Sequence, residues 1–310
     1  MTSSITSRPL GKNGPMLPRL GLGRMNNSGA YNAVGSDEER LGFLDRAYAM
    51  GERFWDTADM YLDSEDLPGQ WFARNPEKRA HVFLATKFSI DMTVPTDIIF
   101  DSSPAYARQQ LARSLTRLGV AYIDLYYVHR LDGKTPIETT MAALVALKNE
   151  GKIKHIGLGA CSAASLRRAH AVHPIAAVQT EYSVFARAIE AVDDPKRGIL
   201  AAAPRAGRGR RREGNLDANV ATVAQMGALA KQKGVTTAQL CLAWLLAQGD
   251  DVFAIPGTRK AERLQENLAA LRVELTAEEQ ETLGTLGKQV AGGESRPEHV
   301  AIHFADTPEL

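Results

Sequence analysis

Short apolar segments alternate with amphipathic segments along most of this 310-residue chain. The amphipathic segments carry apolar residues three and four positions apart, as Leu111, Leu115 and Leu118 illustrate, and this spacing predicts helices. The apolar, β-rich runs lie near residues 53–56, 82–87, 122–129, 154–158, 176–179 and 252–256. Strands that alternate with helices indicate βαβ units and therefore a parallel sheet.

Two closures of such a sheet are open to consideration, a doubly wound open sheet and a (β/α)8 barrel. An open sheet that binds a dinucleotide needs a third glycine after Gly21 and Gly23, and the sequence lacks it. We therefore predict an α/β protein with one (β/α)8 barrel (TIM barrel) domain over residues 1–310. A hairpin around Asn13 and Gly14 is expected to plug the bottom of the barrel.

One stretch departs from the regular pattern. Between Glu181 and Val252 the barrel requires a helix, a seventh strand and a further helix, but the only apolar run upstream of the helices is residues 199–203. That run is mostly alanine, which is depleted in strands, and an arginine-rich segment at 205–212 follows it. We expect the seventh β/α unit to be truncated or irregular over about residues 184–217.

Composition narrows the functional class. The net charge of +1 gives no general attraction to nucleic acid or to an anionic membrane, and no apolar run approaches a membrane span. Two cysteines and a start without a signal sequence favour a cytoplasmic protein. His170 and His173 lack further ligands nearby, so no metal site is predicted. The expected partner is a small molecule, and nothing indicates an oligomeric state.

Three ionisable residues, Asp56, Lys87 and His129, end three successive predicted strands. The carboxyl ends of parallel barrel strands meet at one rim, where active sites of this fold lie. Tyr61 follows Asp56 by five residues, in the adjoining loop. Each residue alone has a structural explanation, such as a loop anchor or a packed core group. Their convergence on one rim predicts a catalytic site.

These four side chains suit proton donation to a carbonyl group. A lysine beside Tyr61 stabilises the phenolate form, and Asp56 pairs with Lys87 and orients it. Tyr61 then donates a proton to a carbonyl oxygen as that oxygen gains negative charge, while a neutral His129 polarises the same oxygen. The set contains no nucleophile and no electron source, so hydride must come from a cofactor.

Several segments carry a family resemblance: residues 21–23 (Gly-Leu-Gly), 54–61 (Phe-Trp-Asp-Thr-Ala-Asp-Met-Tyr), 85–88 (Ala-Thr-Lys-Phe), 123–130 (Ile-Asp-Leu-Tyr-Tyr-Val-His-Arg), 178–183 (Val-Gln-Thr-Glu-Tyr-Ser) and 255–258 (Ile-Pro-Gly-Thr). The chain resembles the aldo-keto reductases, and among them the fungal and plant branch with pyridoxal-reductase-like proteins. The resemblance implies an NADP-dependent enzyme of the alcohol dehydrogenase or carbonyl reductase type, acting on aldehydes or ketones. The family's catalytic tetrad falls on Asp56, Tyr61, Lys87 and His129.

The same resemblance implies NADPH/NADP+ as cofactor, bound extended across the barrel mouth. Asp56 and Gln179 would contact its nicotinamide end. The residues implied for the adenosine 2′-phosphate and adenine are Gly257, Thr258, Lys260, Arg263, Glu266 and Asn267. Cationic side chains around a helix start suit a phosphate on physical grounds, with a solvated basic helix start as the alternative.

Departures from the family pattern keep other hypotheses open. Arg24 stands near the nicotinamide position where a small residue is usual, and Gly159 with Ala160 replaces a polar pair. The seventh strand and the pyrophosphate segment after it are not recognisable. A non-catalytic NADPH-binding regulatory protein, or an impaired reductase, is therefore the alternative to an active reductase. A flawed gene model is a third possibility.

Overall fold

The computed structural model describes residues 7–29, 33–92, 98–190, 199–202, 215–291 and 306–310. Its strands are β1 (Ser7–Pro9), β2 (Met16–Pro18), β3 (Leu22–Gly23), β4 (Phe54–Asp56), β5 (Phe83–Phe88), β6 (Ile90–Asp91), β7 (Ile99–Phe100), β8 (Ile123–Val128), β9 (Ile153–Gly159), β10 (Ala177–Glu181), β11 (Ile199–Ala202) and β12 (Phe253–Ala254). Its α-helices are α1 (Asp37–Ala49), α2 (Asp66–Arg74), α3 (Pro104–Leu118), α4 (Ile137–Asn149), α5 (Ala163–Val172), α6 (Asn215–Gln232), α7 (Thr237–Leu246), α8 (Ala261–Ala269) and α9 (Ala277–Lys288).

Eight strands form one parallel sheet in the spatial order β12, β11, β10, β9, β8, β5, β4, β3. Parallel bridges from Leu20 to Ala254 and from Gly23 to Gly257 join its two edges. The sheet is therefore closed, and the fold is the predicted (β/α)8 barrel.

Local sequence signals fix where several helices begin. At α1 the Ser36 side chain accepts from the Glu39 backbone, while the Glu39 side chain accepts from the Ser36 backbone. Thr276 and Glu279 repeat this arrangement at α9, and Thr236 with Gln239 forms a third such box at the start of α7. Each box satisfies backbone N–H groups that the first helical turn leaves without partners.

The N-terminal hairpin forms and plugs the barrel, as predicted. Strands β1 and β2 pair antiparallel, and Asn13 adopts the left-handed conformation (φ 63°) in the turn between them. Leu10 and Leu17 are buried against interior residues of the barrel such as Tyr127 and Phe253. Their burial removes apolar surface from water at the end of the barrel opposite the strand carboxyl termini.

The seventh barrel strand is present. Ile199 and Ala202 of β11 pair with Val178 and Glu181 of β10, and the other edge of β11 pairs with β12. The expectation that residues 199–203 make a poor strand is wrong, since β11 spans Ile199–Ala202. A strand between two paired neighbours gains backbone hydrogen bonds whatever its side chains. The stretch predicted to be irregular, about residues 184–217, lies partly outside the described residues. Residues 191–198 and 203–214, which include the arginine-rich segment, lie outside the described residues.

The last described residues pack against α5, at the end of the barrel where the strands have their carboxyl termini. The Ser162 hydroxyl, which caps α5, donates to the Asp306 carboxylate at 3.0 Å. Arg168 of the same helix donates to the carbonyl oxygen of Thr307 at 2.8 Å.

The described part of the chain contains no helix long and apolar enough to cross a membrane. The same residues contain no group of three or more His, Cys, Asp and Glu side chains suited to a metal.

Candidate active site

Strand alternation turns three polar side chains toward the barrel mouth. Successive residues of a strand face opposite sides of the sheet. Trp55 packs among the helices, so Asp56, the last residue of β4, faces inward. The same alternation directs Lys87 of β5 inward, and His129 follows the end of β8. All three are nearly inaccessible, with exposed fractions of 3% for Asp56, 1% for Lys87 and 7% for His129.

Asp56 and Lys87 form a buried ion pair. The Lys87 Nζ donates to Asp56 Oδ1 at 2.6 Å and to the carbonyl oxygen of Thr57 at 2.6 Å. Burial lowers the pKa of Lys87, but attraction to the Asp56 carboxylate outweighs it and leaves the pKa above its ordinary value. Burial raises the pKa of Asp56 against the pull of Lys87. Lys87 therefore carries its positive charge at neutral pH.

Tyr61 meets both Lys87 and His129. Its hydroxyl lies 3.5 Å from His129 Nε2, and the two rings pack edge to face with centroids 5.7 Å apart. The Lys87 Nζ lies 5.1 Å from the centroid of the Tyr61 ring. The structure thus brings the four predicted catalytic side chains into one cluster.

Arg117, at the end of α3, holds the loop that carries Tyr61. It donates to the carbonyl oxygen of Asp59 at 3.0 Å and to that of Leu62, so it grips the loop on both sides of the tyrosine. It also pairs with Glu65 at 3.1 Å and with Asp66 at 2.7 Å. These bonds tie the position of Tyr61 to a helix of the outer layer.

A cavity of about 520 Å³ adjoins the cluster. Asp56, Tyr61 and Gln179 form part of its wall, and Gln179 Nε2 donates to Asp56 Oδ2 at 2.8 Å. The wall continues past Gly257 to Asn267 of α8. Three of the predicted cofactor contacts beyond Asp56 therefore line the cavity that the tetrad adjoins.

The remaining predicted cofactor residues surround the start of α8 and lie outside the wall of this cavity. The Thr258 hydroxyl accepts from the backbone N–H of Lys260 at 3.2 Å. Arg263 is largely exposed and donates to the Glu266 carboxylate at 2.5 Å. The backbone donors of this helix start and the neighbouring cationic side chains suit a phosphate group.

Sequence reasoning missed the wall that α7 contributes. Its lining residues are Thr237, Ala238, Cys241, Leu242 and Leu245. Their spacing marks one helical face, yet α7 is apolar on most sides, so the sequence does not tell which face meets the cavity. Burial raises the pKa of the Cys241 thiol to about 11, so this side chain lines the cavity as a neutral thiol.

Arg24, which the sequence places near the nicotinamide position, lies at the cavity with its side chain near Trp55. The residue lines the cavity and its backbone N–H donates to the carbonyl oxygen of Asp56 at 2.9 Å. Its guanidinium lies 5.8 Å from the ring centroid of Trp55, which packs among the helices. Burial, followed by repulsion from Arg40, lowers the pKa of Arg24 to about 9. The positive charge of Arg24 therefore lies near Trp55, on the side of the sheet that faces the helices.

Comparisons with known proteins decide the family. A model of the aldo/keto reductase family matches residues 19–287. The chain belongs to the aldo/keto reductase family. Aldo-keto reductase str7 of Strobilurus tenacellus is 41% identical to it, with 94% of each chain covered. The NADP(+) aldo-keto reductase yakc of Schizosaccharomyces pombe is 36% identical, with 99% of each chain covered.

Solved aldo/keto reductases share the fold. An aldo-keto reductase from Klebsiella pneumoniae, determined in complex with NADPH, superimposes with a TM-score of 0.73 at 27% identity. The match covers 90% of this chain and 94% of that one. The chain is therefore an oxidoreductase of this family, with the family's barrel.

Proposed function

We propose that this aldo/keto reductase uses NADPH to reduce aldehydes or ketones to alcohols, with Tyr61 as the proton donor. The observation that carries the proposal is the position of Tyr61, whose hydroxyl lies 3.5 Å from His129 Nε2 and whose ring centroid lies 5.1 Å from the Lys87 Nζ. A hydroxyl held between these groups is placed to transfer its proton to an oxygen at the cavity end. The reaction type is that of a carbonyl reductase or alcohol dehydrogenase.

The four side chains divide the work. His129 donates a hydrogen bond to the carbonyl oxygen and polarises it. Tyr61 gives its hydroxyl proton to that oxygen as the oxygen gains negative charge, and the C=O group becomes an alcohol. Lys87 stabilises the phenolate left behind until solvent returns a proton, and Asp56 keeps Lys87 in place. None of these groups supplies electrons.

The cavity fits a nicotinamide cofactor. Its volume of about 520 Å³ falls in the range of cofactor pockets, and its wall is mainly apolar with few polar groups. Gln179 presents a side-chain amide at the end where Asp56 and Tyr61 lie, which suits the nicotinamide carboxamide. When bound, the reduced nicotinamide supplies the hydride that joins the carbonyl carbon.

The other end of the cavity suits the adenosine half of the cofactor. Gly257 and Asn267 line it, and the start of α8 lies just beyond. Thr258, Lys260, Arg263 and Glu266 would contact the 2′-phosphate and the adenine there. An N-terminal helix end with cationic neighbours binds a phosphate through backbone donors and charge together.

A non-catalytic NADPH-binding protein is the alternative. One of the departures behind it was an unrecognisable seventh strand, and β11 pairs with both of its neighbours. The active reductase is therefore the better proposal.

Deuterium transfer tests the proposal. The protein is incubated with NADPH deuterated at the hydride-donating C4 position and with a panel of aldehydes and ketones, and the alcohols are examined by mass spectrometry. We expect one deuterium on the former carbonyl carbon. NADPH binding followed by fluorescence, with no labelled alcohol from any carbonyl compound, would support the regulatory alternative and contradict the proposal.

A further inference from the structure

Arg130 directly follows His129, and its side chain folds back over the ends of two barrel strands. The Arg130 Nη1 donates to the carbonyl oxygen of His129 at 2.7 Å. A Cβ at Gly159, the last residue of β9, would lie 2.0 Å from that carbonyl oxygen and 3.0 Å from Arg130 Nη1. Glycine at 159 thus makes room for the His129 carbonyl and for the guanidinium beside it.

Ser89 fixes the backbone of Arg130. Its hydroxyl donates to the carbonyl oxygen of Arg130 at 2.7 Å and accepts from the N–H of Arg130 at 2.8 Å. Ser89 is fully buried and has a φ of 98°, a conformation that a side-chain-bearing residue adopts only under constraint. Such strained conformations concentrate at functional sites. The strain here lies where a hydroxyl holds Arg130 in place.

The charge of Arg130 has no carboxylate partner among the described residues. Three other partly buried arginines pair with carboxylates, in Arg79–Asp124, Arg117–Glu65 and Arg168–Glu138. Burial lowers the pKa of Arg130, and the ionisable groups that attract its charge are Tyr61 and Cys161. A desolvated cation without a counter-charge is unfavourable, so an anionic group that enters the site gains from meeting it.

We propose, on the basis of the reductase function above, that Arg130 recognises a carboxylate on the substrate. The preferred substrates are then carbonyl compounds that carry a carboxylate in the same small molecule. The carbonyl oxygen lies at Tyr61 and His129, and the carboxylate meets the guanidinium of the next residue. A guanidinium binds a carboxylate through parallel hydrogen bonds, and a single negative charge balances the single positive charge of Arg130.

Pairs of substrates that differ only in a carboxylate test the effect of the substrate's negative charge. The acids 3-formylbenzoate and 4-formylbenzoate are compared with their methyl esters, which keep the aldehyde and the ring but lose the charge. We expect the wild-type protein to favour at least one acid over its ester in kcat/KM by about tenfold or more, as a charged hydrogen bond predicts. In Arg130→Met we expect this ratio to fall by about tenfold or more, mainly through a higher KM for the acid.

Variants separate recognition from folding. Arg130→Lys keeps the charge but loses the planar fork, so its ratio is expected between those of the wild type and Arg130→Met. Arg108→Met removes an exposed arginine that pairs with Glu150, and we expect the wild-type ratio there. Thermal unfolding and NADPH binding are measured for each variant. If Arg130→Met does not fold, the proposal is judged on two results, the acid-to-ester ratio of the wild type and the lower ratio expected in Arg130→Lys.

The kinetic results distinguish a failure of the reductase function from a failure of the role proposed for Arg130. No reduction of either acids or esters by the wild type contradicts the reductase function itself. Reduction of the esters with no preference for the acids, or a ratio unmoved in Arg130→Met, overturns the role of Arg130 and leaves the function standing. A weaker NADPH affinity in Arg130→Met with an unchanged ratio assigns the guanidinium to the cofactor and also overturns the proposal.

Discussion

At the scale of single residues, Lys87 donates from one ammonium group to the Asp56 carboxylate and to the carbonyl oxygen of Thr57. Both bonds lie where water hardly reaches, since Lys87 and Asp56 are buried. In a buried ion pair each charge compensates the other, and removing one member leaves the other charge buried without a partner. The proposed catalytic cluster therefore also bears on stability.

Replacing Lys87 alone should be costly for both stability and activity. We expect Lys87→Met to lower the free energy of unfolding by about 3–5 kcal/mol, because Asp56 is left unpaired. The double variant with Asp56→Asn should regain part of this stability but none of the NADPH-dependent activity. Urea unfolding and steady-state kinetics measure the two effects. A double variant no more stable than Lys87→Met contradicts the account of the pair.

The sequence places the residues of the cluster well but not all of their surroundings. Asp56, Lys87 and His129 could be predicted because each ends a strand, and parallel strands bring their ends together. The surroundings of Arg130 and Arg24 could not be predicted, because the direction that an arginine guanidinium takes beyond a strand end follows no local sequence pattern. Only the folded chain tells that one guanidinium lies beside His129 and the other beside Trp55.

At the scale of elements, the loop that carries Tyr61 depends on a contact from α3. Arg117 binds four groups, the carbonyl oxygens of Asp59 and Leu62 and the carboxylates of Glu65 and Asp66, and the guanidinium plane sets the directions of these bonds. The loop that carries Tyr61 is thus oriented by α3, and no residue of α3 lines the cavity.

Arg117→Lys should disturb this loop although it keeps the charge. A lysine offers one ammonium group in place of the fork, so we expect kcat to fall by about tenfold and the unfolding free energy by about 1–3 kcal/mol. The matched control is Arg74→Lys, in which an exposed pair with Glu38 is changed and little effect is expected. A wild-type kcat in Arg117→Lys would show that the loop holds Tyr61 without the clamp.

Strand β11 forms although the strand propensity of its residues is low. Its alanine content argues against a strand, yet Leu200 pairs with Phe253 on one side and Gln179 on the other. Closure of the barrel demands a strand between β10 and β12, and this tertiary demand outweighs the preference of the residues. The capping boxes of α1 and α9, by contrast, are local interactions and could be predicted.

At the scale of the whole molecule, Glu52 couples the pH to the stability of the barrel. It lies just before β4, fully buried, and its Oε1 accepts from the backbone N–H of Phe54 at 2.7 Å. Burial raises the pKa of Glu52 from 4.5 to about 8. The folded state therefore keeps the proton that the unfolded chain loses.

This raised pKa predicts a stability that falls as the pH rises. The contribution of Glu52 is fully present below the unfolded pKa of 4.5 and is lost as the pH approaches about 8, at about 1.4 kcal/mol for each pH unit. Between about pH 5.5 and about pH 8 the free energy of unfolding should fall in both proteins. We expect the fall to be about 2–3 kcal/mol smaller in Glu52→Gln than in the wild type. Urea unfolding at both pH values measures this, with the exposed Glu77→Gln as control. Parallel losses in wild type and Glu52→Gln would contradict the burial argument.

The barrel itself could be predicted because its alternation of strands and helices repeats along the chain. The cavity wall could not be predicted in full, because α6 and α7 meet the mouth through faces that only the closed barrel selects. Val223 of α6 and Cys241 of α7 illustrate this, since both look like ordinary packing residues in the sequence.

Single-turnover oxidation of bound NADPH with an aldehyde tests the role of Tyr61 most directly. The account predicts that Tyr61→Phe lowers the rate constant by about 100-fold or more, the usual size of a lost proton donor, while the Kd for NADPH changes little. An equal rate constant in Tyr61→Phe and the wild type would contradict it.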